Sequence, residues 1–200
     1  MMRAVRWLLL LAMTCGCTLT ARADEAVTIC YNYGCSAQAT VRFSSAQIRQ
    51  VVMQLADARD AAEERRLVSR AVGQLYAWAG EQSPIHADRA GNYADGGVNG
   101  EMDCIDHSTT TTRFLRLLEQ SGALHFHRVG PVIRRGWFFQ HFTATLDELP
   151  SSATEAMPTT VSTSSQAPRY AVDSWFVDNG QPAVVLPLIE WFSYRGGFGV

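Results

Sequence analysis

Lysine is absent from this 200-residue chain: all 17 cationic side chains are arginine, a compositional bias rather than a mechanism. Excess positive charge is missing too. The 19 acidic residues leave a formal charge of -2, which argues against a nucleic-acid partner. No apolar run reaches the roughly 20 residues that a helix needs to cross a bilayer. No internal repeat and no second composition boundary interrupt the chain. A hydrophobic content of 47% over 200 residues therefore specifies one ordinary globular core.

The first two dozen residues differ in kind. Arg3 and Arg6 precede the apolar stretch "WLLLLAM", and small residues stand at Ala21 and Ala23. The expectation is a secretory signal peptide over 1–23, cleaved after Ala23, with one domain over 24–200 in the periplasm or outside the cell. No integral membrane segment is expected after cleavage. Losing Arg3, Arg6 and Arg22 with no acid moves the formal charge from -2 to about -5. A bacterial lipoprotein anchored at Cys15 or Cys17 is the competing reading, but neither cysteine follows the usual Leu-small-small triplet.

Cysteine is also sparse. Of the five, at 15, 17, 30, 35 and 104, two fall in the leader. Cys30 and Cys35 bracket the turn "YNYG" in "CYNYGC" and are expected to form a disulfide in an oxidising compartment. Cys104 is left over. An odd thiol in an exported protein is either buried and inert or kept because it reacts.

What is present reads as helix and strand in separate blocks. β-branched runs on either side of the cysteine turn predict a hairpin over 26–43. Ser44 and Gln47 form a capping box before Ile48, Val51, Val52 and Leu55 at helical spacing, and the pattern resumes from Leu67 to about Ala79. The charged "DARDAAEERR" between them is a solvated face or a break. A long loop rich in Gly, Asn, Asp and Pro runs from Glu81 to Asp103, and a further helix is expected to close at Gly122. Strands are predicted in "LHFHRVG", "WFFQHFTATL", "RYAVDSWFV" and "AVVLP", with a Ser/Thr-rich loop at 150–168 between the second and third. The aromatic residues at 137–139 and 175–176 are expected to be mainly core, with some lining a cleft.

The chemistry gathers at "GEMDCIDHSTTTTRFLRLL". Asp103 suits an N-cap, which puts Cys104 in the first helical turn and Asp106 where it can complete a capping box. Free backbone N–H groups and the helix dipole favour a thiolate there. The carboxylates of Asp103 and Asp106 push the thiol pKa up, so a general base is required. His141 lies within an aromatic strand and Asp173 within an apolar one. A buried strand carboxylate and a buried strand histidine each need a partner, and each supplies what the other lacks.

A cysteine opening a helix, a histidine on one strand and an aspartate on the next, carried by "MDCIDHS", "FFQHFTATL" and "YAVDSWF" over about 97–176, resemble the transglutaminase-like superfamily of papain-like cysteine enzymes. The resemblance implies an α+β fold with the cysteine helix packed on an antiparallel sheet. It also implies a thiolate at Cys104, a general base at His141 and an orienting carboxylate at Asp173. Family members often carry a tryptophan soon after the histidine and a proline after the aspartate; here Phe142, Thr143, Ser174 and Trp175 stand there. The oxyanion would be held by the Cys104 N–H and a side-chain donor, with Asn99, Asn92 and Gln140 as candidates. The implied activity is hydrolysis or acyl transfer at amide bonds of a peptide or protein substrate, through a thioester and without cofactor or metal.

Blander readings stand beside this one. Cys104 could be a small buried hydrophobe, and His141 and Asp173 a structural pair; the chain would then be an inactive binding module of the cell envelope. A metal reading would use Cys104 with His107, or the H-x-H of His125 and His127.

Overall fold

The computed structural model describes residues 24–92, 94–150 and 167–194. The expected leader and most of the Ser/Thr-rich loop lie outside these residues. Strands β1 (Glu25–Tyr31) and β2 (Ala37–Phe43) form the expected hairpin, paired from Glu25 with Phe43 to Tyr31 with Ala37. Helix α1 (Ser45–Ala56) begins at the Ser44–Gln47 capping box, and α2 (Ala61–Gly80) begins at Asp60, whose side chain accepts from the Glu63 N–H. The charged stretch is thus both a break and a helix face, because Asp60 caps the second helix more favourably than it would continue the first. Helix α3 (Cys104–Gln120) follows the long loop and ends just before Gly122, whose φ of 72° reverses the chain.

The remaining strands are β3 (His127–Val129), β4 (Ile133–Arg135), β5 (His141–Glu148), β6 (Arg169–Asp173) and β7 (Val184–Pro187). They form one five-stranded sheet in the order β3-β5-β6-β7, with β4 also paired to β5, and every pairing is antiparallel. A short helix α4 (Leu188–Trp191) follows β7. The architecture is α+β, with α3 packed against both β5 and the β1–β2 hairpin.

Two elements depart from expectation. "WFFQHFTATL" is not one strand: Trp137 to Gln140 belong to the tip joining β4 and β5, and Trp137, Phe138 and Phe139 are 87%, 97% and 95% exposed rather than core. Gly136 explains the turn, since its φ is 76° and a Cβ there would collide with the Phe139 carbonyl. The second is "RYAVDSWFV", whose strand ends at Asp173, so Trp175 and Phe176 lie beyond it and sit against His141.

The core joins the two layers. Phe43 from the hairpin meets Phe114 of α3 edge to face at 5.7 Å, and Phe114 meets Tyr76 of α2 at 5.0 Å. Fully buried aromatic groups of this size dominate a core's apolar burial. Glu64 of α2, also fully buried, accepts from the N–H groups of His125 and Phe126 and from His127 Nδ1 at 2.8 Å. That set of donors ties α2 to the edge of the sheet and keeps an interior carboxylate satisfied.

Candidate active site

Asp103 caps α3 as expected: its side chain accepts from the N–H groups of Ile105 and Asp106, both at 2.9 Å, and Asp106 accepts from the Asp103 N–H at 3.2 Å. Cys104 is the first residue of the helix and is half-buried. Its thiol donates to the Gln140 carbonyl at 3.8 Å, and the backbone N–H of Phe142 faces the sulfur. The sulfur therefore rests against the backbone on both sides of His141.

His141 Nε2 lies 2.8 Å from Asp173 Oδ2. With the carboxylate ionised, Nε2 carries the proton and Nδ1 keeps its lone pair. Asp173 is held by two further donors, Trp191 Nε1 at 2.7 Å to Oδ2 and the Trp175 N–H at 3.2 Å to Oδ1. The imidazole is walled by Trp175 at 4.7 Å, Phe176 at 5.3 Å and Trp191 at 5.6 Å between ring centroids. Next to Asp173, Ser174 joins a buried hydrogen-bonded group with His107 Nδ1 at 2.8 Å, Thr111 at 2.9 Å and Tyr76 at 3.2 Å. That group fixes the end of β6 against α2 and α3.

Cys104, His141, Gln140 and Asn92 line one cleft of about 820 Å³. Burial is the main cause that raises the Cys104 thiol above its ordinary pKa, and the carboxylates of Asp103 and Asp173 add to it, while the N–H groups of Phe142 and Cys104 oppose. The helix terminus alone does not produce a resting thiolate.

The oxyanion candidates separate. Asn99 lies in the loop, where its Oδ1 accepts from Asn32 Nδ2 at 3.1 Å, and is not among the cleft-lining residues. Gln140 lines the cleft beside the sulfur. Asn92 lines it too, with Oδ1 accepting from the indole N–H of Trp175, which leaves the Nδ2 donors as the free end of the amide. Trp191 escaped the sequence reading because a tryptophan in a short helix carries no signal of a polar partner.

Cys30 and Cys35 form the expected disulfide, with Cα atoms 4.6 Å apart. The turn between them is left-handed throughout, with φ of 61°, 60°, 62° and 61° from Asn32 to Cys35. It presents N–H groups to the cysteine helix: Gly34 to Asp103 Oδ2 at 2.9 Å and Cys35 to Asp106 Oδ1 at 2.6 Å. Tyr33 Oη donates to the Asn92 carbonyl at 3.3 Å, and Asn32 binds the N–H of Gly100 at 2.8 Å. The hairpin tip thus braces the loop that delivers both Asn92 and Cys104.

The pairings that the alternative metal reading would use do not assemble. His107 turns away from the cleft to lie 3.2 Å from Asp88, close enough for an ion pair but not aligned as a hydrogen bond. His127 is buried on Glu64, whereas His125 is exposed. Cys30, Cys35 and Asp106 place ligand-type atoms within 4.8 Å of one another, but disulfide sulfurs lack the charge of thiolate ligands. No helix among the described residues is long and apolar enough to cross a membrane. Set against known proteins, the chain matches no family model, no curated protein and no solved structure at a significant level.

Proposed function

We propose that the chain is an exported cysteine hydrolase or acyltransferase of the transglutaminase-like, papain-like kind, acting on amide bonds of peptides or protein side chains. The observation that carries this reading is the shared cleft, in which the sulfur of Cys104 packs against the backbone flanking a histidine anchored to a buried aspartate. The chain order cysteine, histidine, aspartate and the helix-on-sheet packing agree with it. The Cys30–Cys35 disulfide supports export, in line with the leader expected from sequence over 1–23.

In this mechanism His141 Nδ1 takes the thiol proton as the sulfur attacks the substrate carbonyl carbon. Asp173 and Trp191 hold the ring and stabilise the imidazolium that forms. The Cys104 N–H and Asn92 Nδ2 donate to the oxyanion. As the C–N bond breaks, the imidazolium gives its proton to the leaving amine, and a thioester remains on Cys104. His141 then accepts a proton from water or a second amine, which attacks the thioester and releases the acyl group while sulfur recovers its proton.

Mass spectrometry of protein mixed with short peptide amides tests this reading. An acyl adduct on Cys104 that hydroxylamine removes, and that is missing in Cys104→Ser, is expected. Absence of adduct and turnover across amide and ester probes would leave the inactive binding module as the better account.

A further inference from the structure

Trp137, Phe138 and Phe139 are the most exposed large apolar residues of the described chain, and they are consecutive at the tip of the β4–β5 hairpin. Isolated apolar side chains at a surface are ordinary; three adjacent aromatic rings almost fully in water are not. The tip is held firmly from below. β4 pairs with β5 from Ile133 with Thr143 to Arg135 with His141, and Arg135 donates to the Trp191 carbonyl while lying over the indole at 4.4 Å. The hairpin therefore presents the rings outward on a fixed base.

Charge along the hairpin sequence is equally one-sided. From 123 to 146 the chain contains Arg128, Arg134 and Arg135 and no acidic residue, in a protein whose formal charge is -2. Arg134 is exposed on β4. The acids on adjoining elements are engaged or set back: Asp173 binds His141 behind the tip, Asp103 caps the helix whose Cys104 meets Gln140, Asp147 engages Arg128 and Arg169, and Glu190 stands on α4.

We propose that this tip docks the protein on an anionic phospholipid surface, with Trp137 and Phe138 entering the headgroup boundary and Arg134 facing the lipid phosphates. A projecting tip enters a fluid interface without needing a matching socket, and tryptophan with phenylalanine flanked by arginine suits that depth. Anionic headgroups supply the charge that the arginines complement. Phe139 lies at both the tip and the cleft, so docking brings the candidate active site to the membrane face. The docking stands independently of whether Cys104 is a nucleophile.

Sedimentation of the purified mature chain with vesicles tests this. Vesicles of phosphatidylglycerol and phosphatidylcholine are expected to carry the protein down, phosphatidylcholine alone much less, and added salt should weaken binding. The double variant Trp137→Ala/Phe138→Ala should bind at least about tenfold more weakly, with Arg134→Glu also impaired, while alkylation of Cys104 in solution stays unchanged. Wild-type protein that remains in the supernatant, or vesicle binding unaffected by the double variant, overturns the proposal. So does a wild-type dimer that the double variant converts to monomer without any vesicle binding, because the tip would then be an interface between copies.

Discussion

Cys104 lies between opposing influences, and the balance of them decides what the residue can do. Its place at the start of α3 offers the helix dipole and the N–H of Cys104 itself, since those of Ile105 and Asp106 go to Asp103, but burial and the carboxylates of Asp103 and Asp173 raise the thiol. Asp103→Asn keeps a side chain able to cap the helix while removing one of those charges. That variant should alkylate faster at neutral pH, with thermal stability changed by no more than about 1 kcal/mol; a slower variant would show that capping geometry matters more than charge. Trp191 stands on the other side of the proposed relay. Replacing it with phenylalanine keeps a ring over His141 and deletes the donor to Asp173, a hydrogen bond to a charged group of about 1.5–3 kcal/mol. Acyl transfer should fall roughly tenfold or more, mostly in kcat, and an unchanged rate would remove Trp191 from the positioning set. Asn92→Ala, by contrast, should depress kcat without disturbing Cys104 alkylation, since an oxyanion donor acts only once a carbonyl is attacked.

At the scale of elements, the disulfide hairpin governs the site more than its distance along the chain suggests. Its left-handed turn supplies N–H groups to Asp103 and Asp106 and a hydroxyl to the Asn92 carbonyl. The paired Cys30→Ser/Cys35→Ser change removes a short loop closure of about 2 kcal/mol, and turnover should drop beyond what the lost stability explains. Equal turnover at a temperature where both proteins are fully folded would show that the turn only stabilises. Much of the site was legible in sequence: the capping boxes at Ser44 and Asp103, the cysteine turn, and the polar residues His141 and Asp173 in apolar segments, although His141 opens β5 and Asp173 closes β6 where mid-strand positions were expected. The β4–β5 tip was not, because alternation cannot distinguish an apolar turn from an apolar strand. The Gly136 before the three aromatic rings was the available signal. The link from Asn92 to Trp175 spans 83 residues and leaves no trace in either segment.

For the whole molecule, several buried ionisable groups set the pH at which the fold is firmest. Asp106 is pushed up to about 6, by burial first and then by Asp103, despite the donors from Cys35, Asp103 and Tyr33. Its folded form binds a proton more tightly than the unfolded chain does, so stability falls as pH rises toward about 6. His107 adds to that slope: burial lowers it, but Asp88 beside it outweighs burial and leaves it raised, so its contribution is also lost as pH increases. Glu64 acts in the opposite sense. Burial raises it, yet the donors from His127, His125 and Phe126 win, so its contribution is lost as pH drops through the acidic range. Stability measured by chemical denaturation should therefore peak well on the acidic side of neutrality, at about pH 4, where the Glu64 gain and the Asp106 loss balance, and Asp106→Asn should flatten the descent toward pH 6. A peak above pH 7 would contradict the assignment of these groups.

The relay itself is tested most directly by the rate at which iodoacetamide alkylates Cys104, followed against pH in the wild type and in His141→Ala. The wild type should react readily near neutral pH, and the variant roughly a hundredfold more slowly, recovering only as the pH climbs past the ordinary thiol range. Identical rates and pH profiles in the two proteins would mean that the imidazole does not act on the sulfur, and the catalytic account would fail.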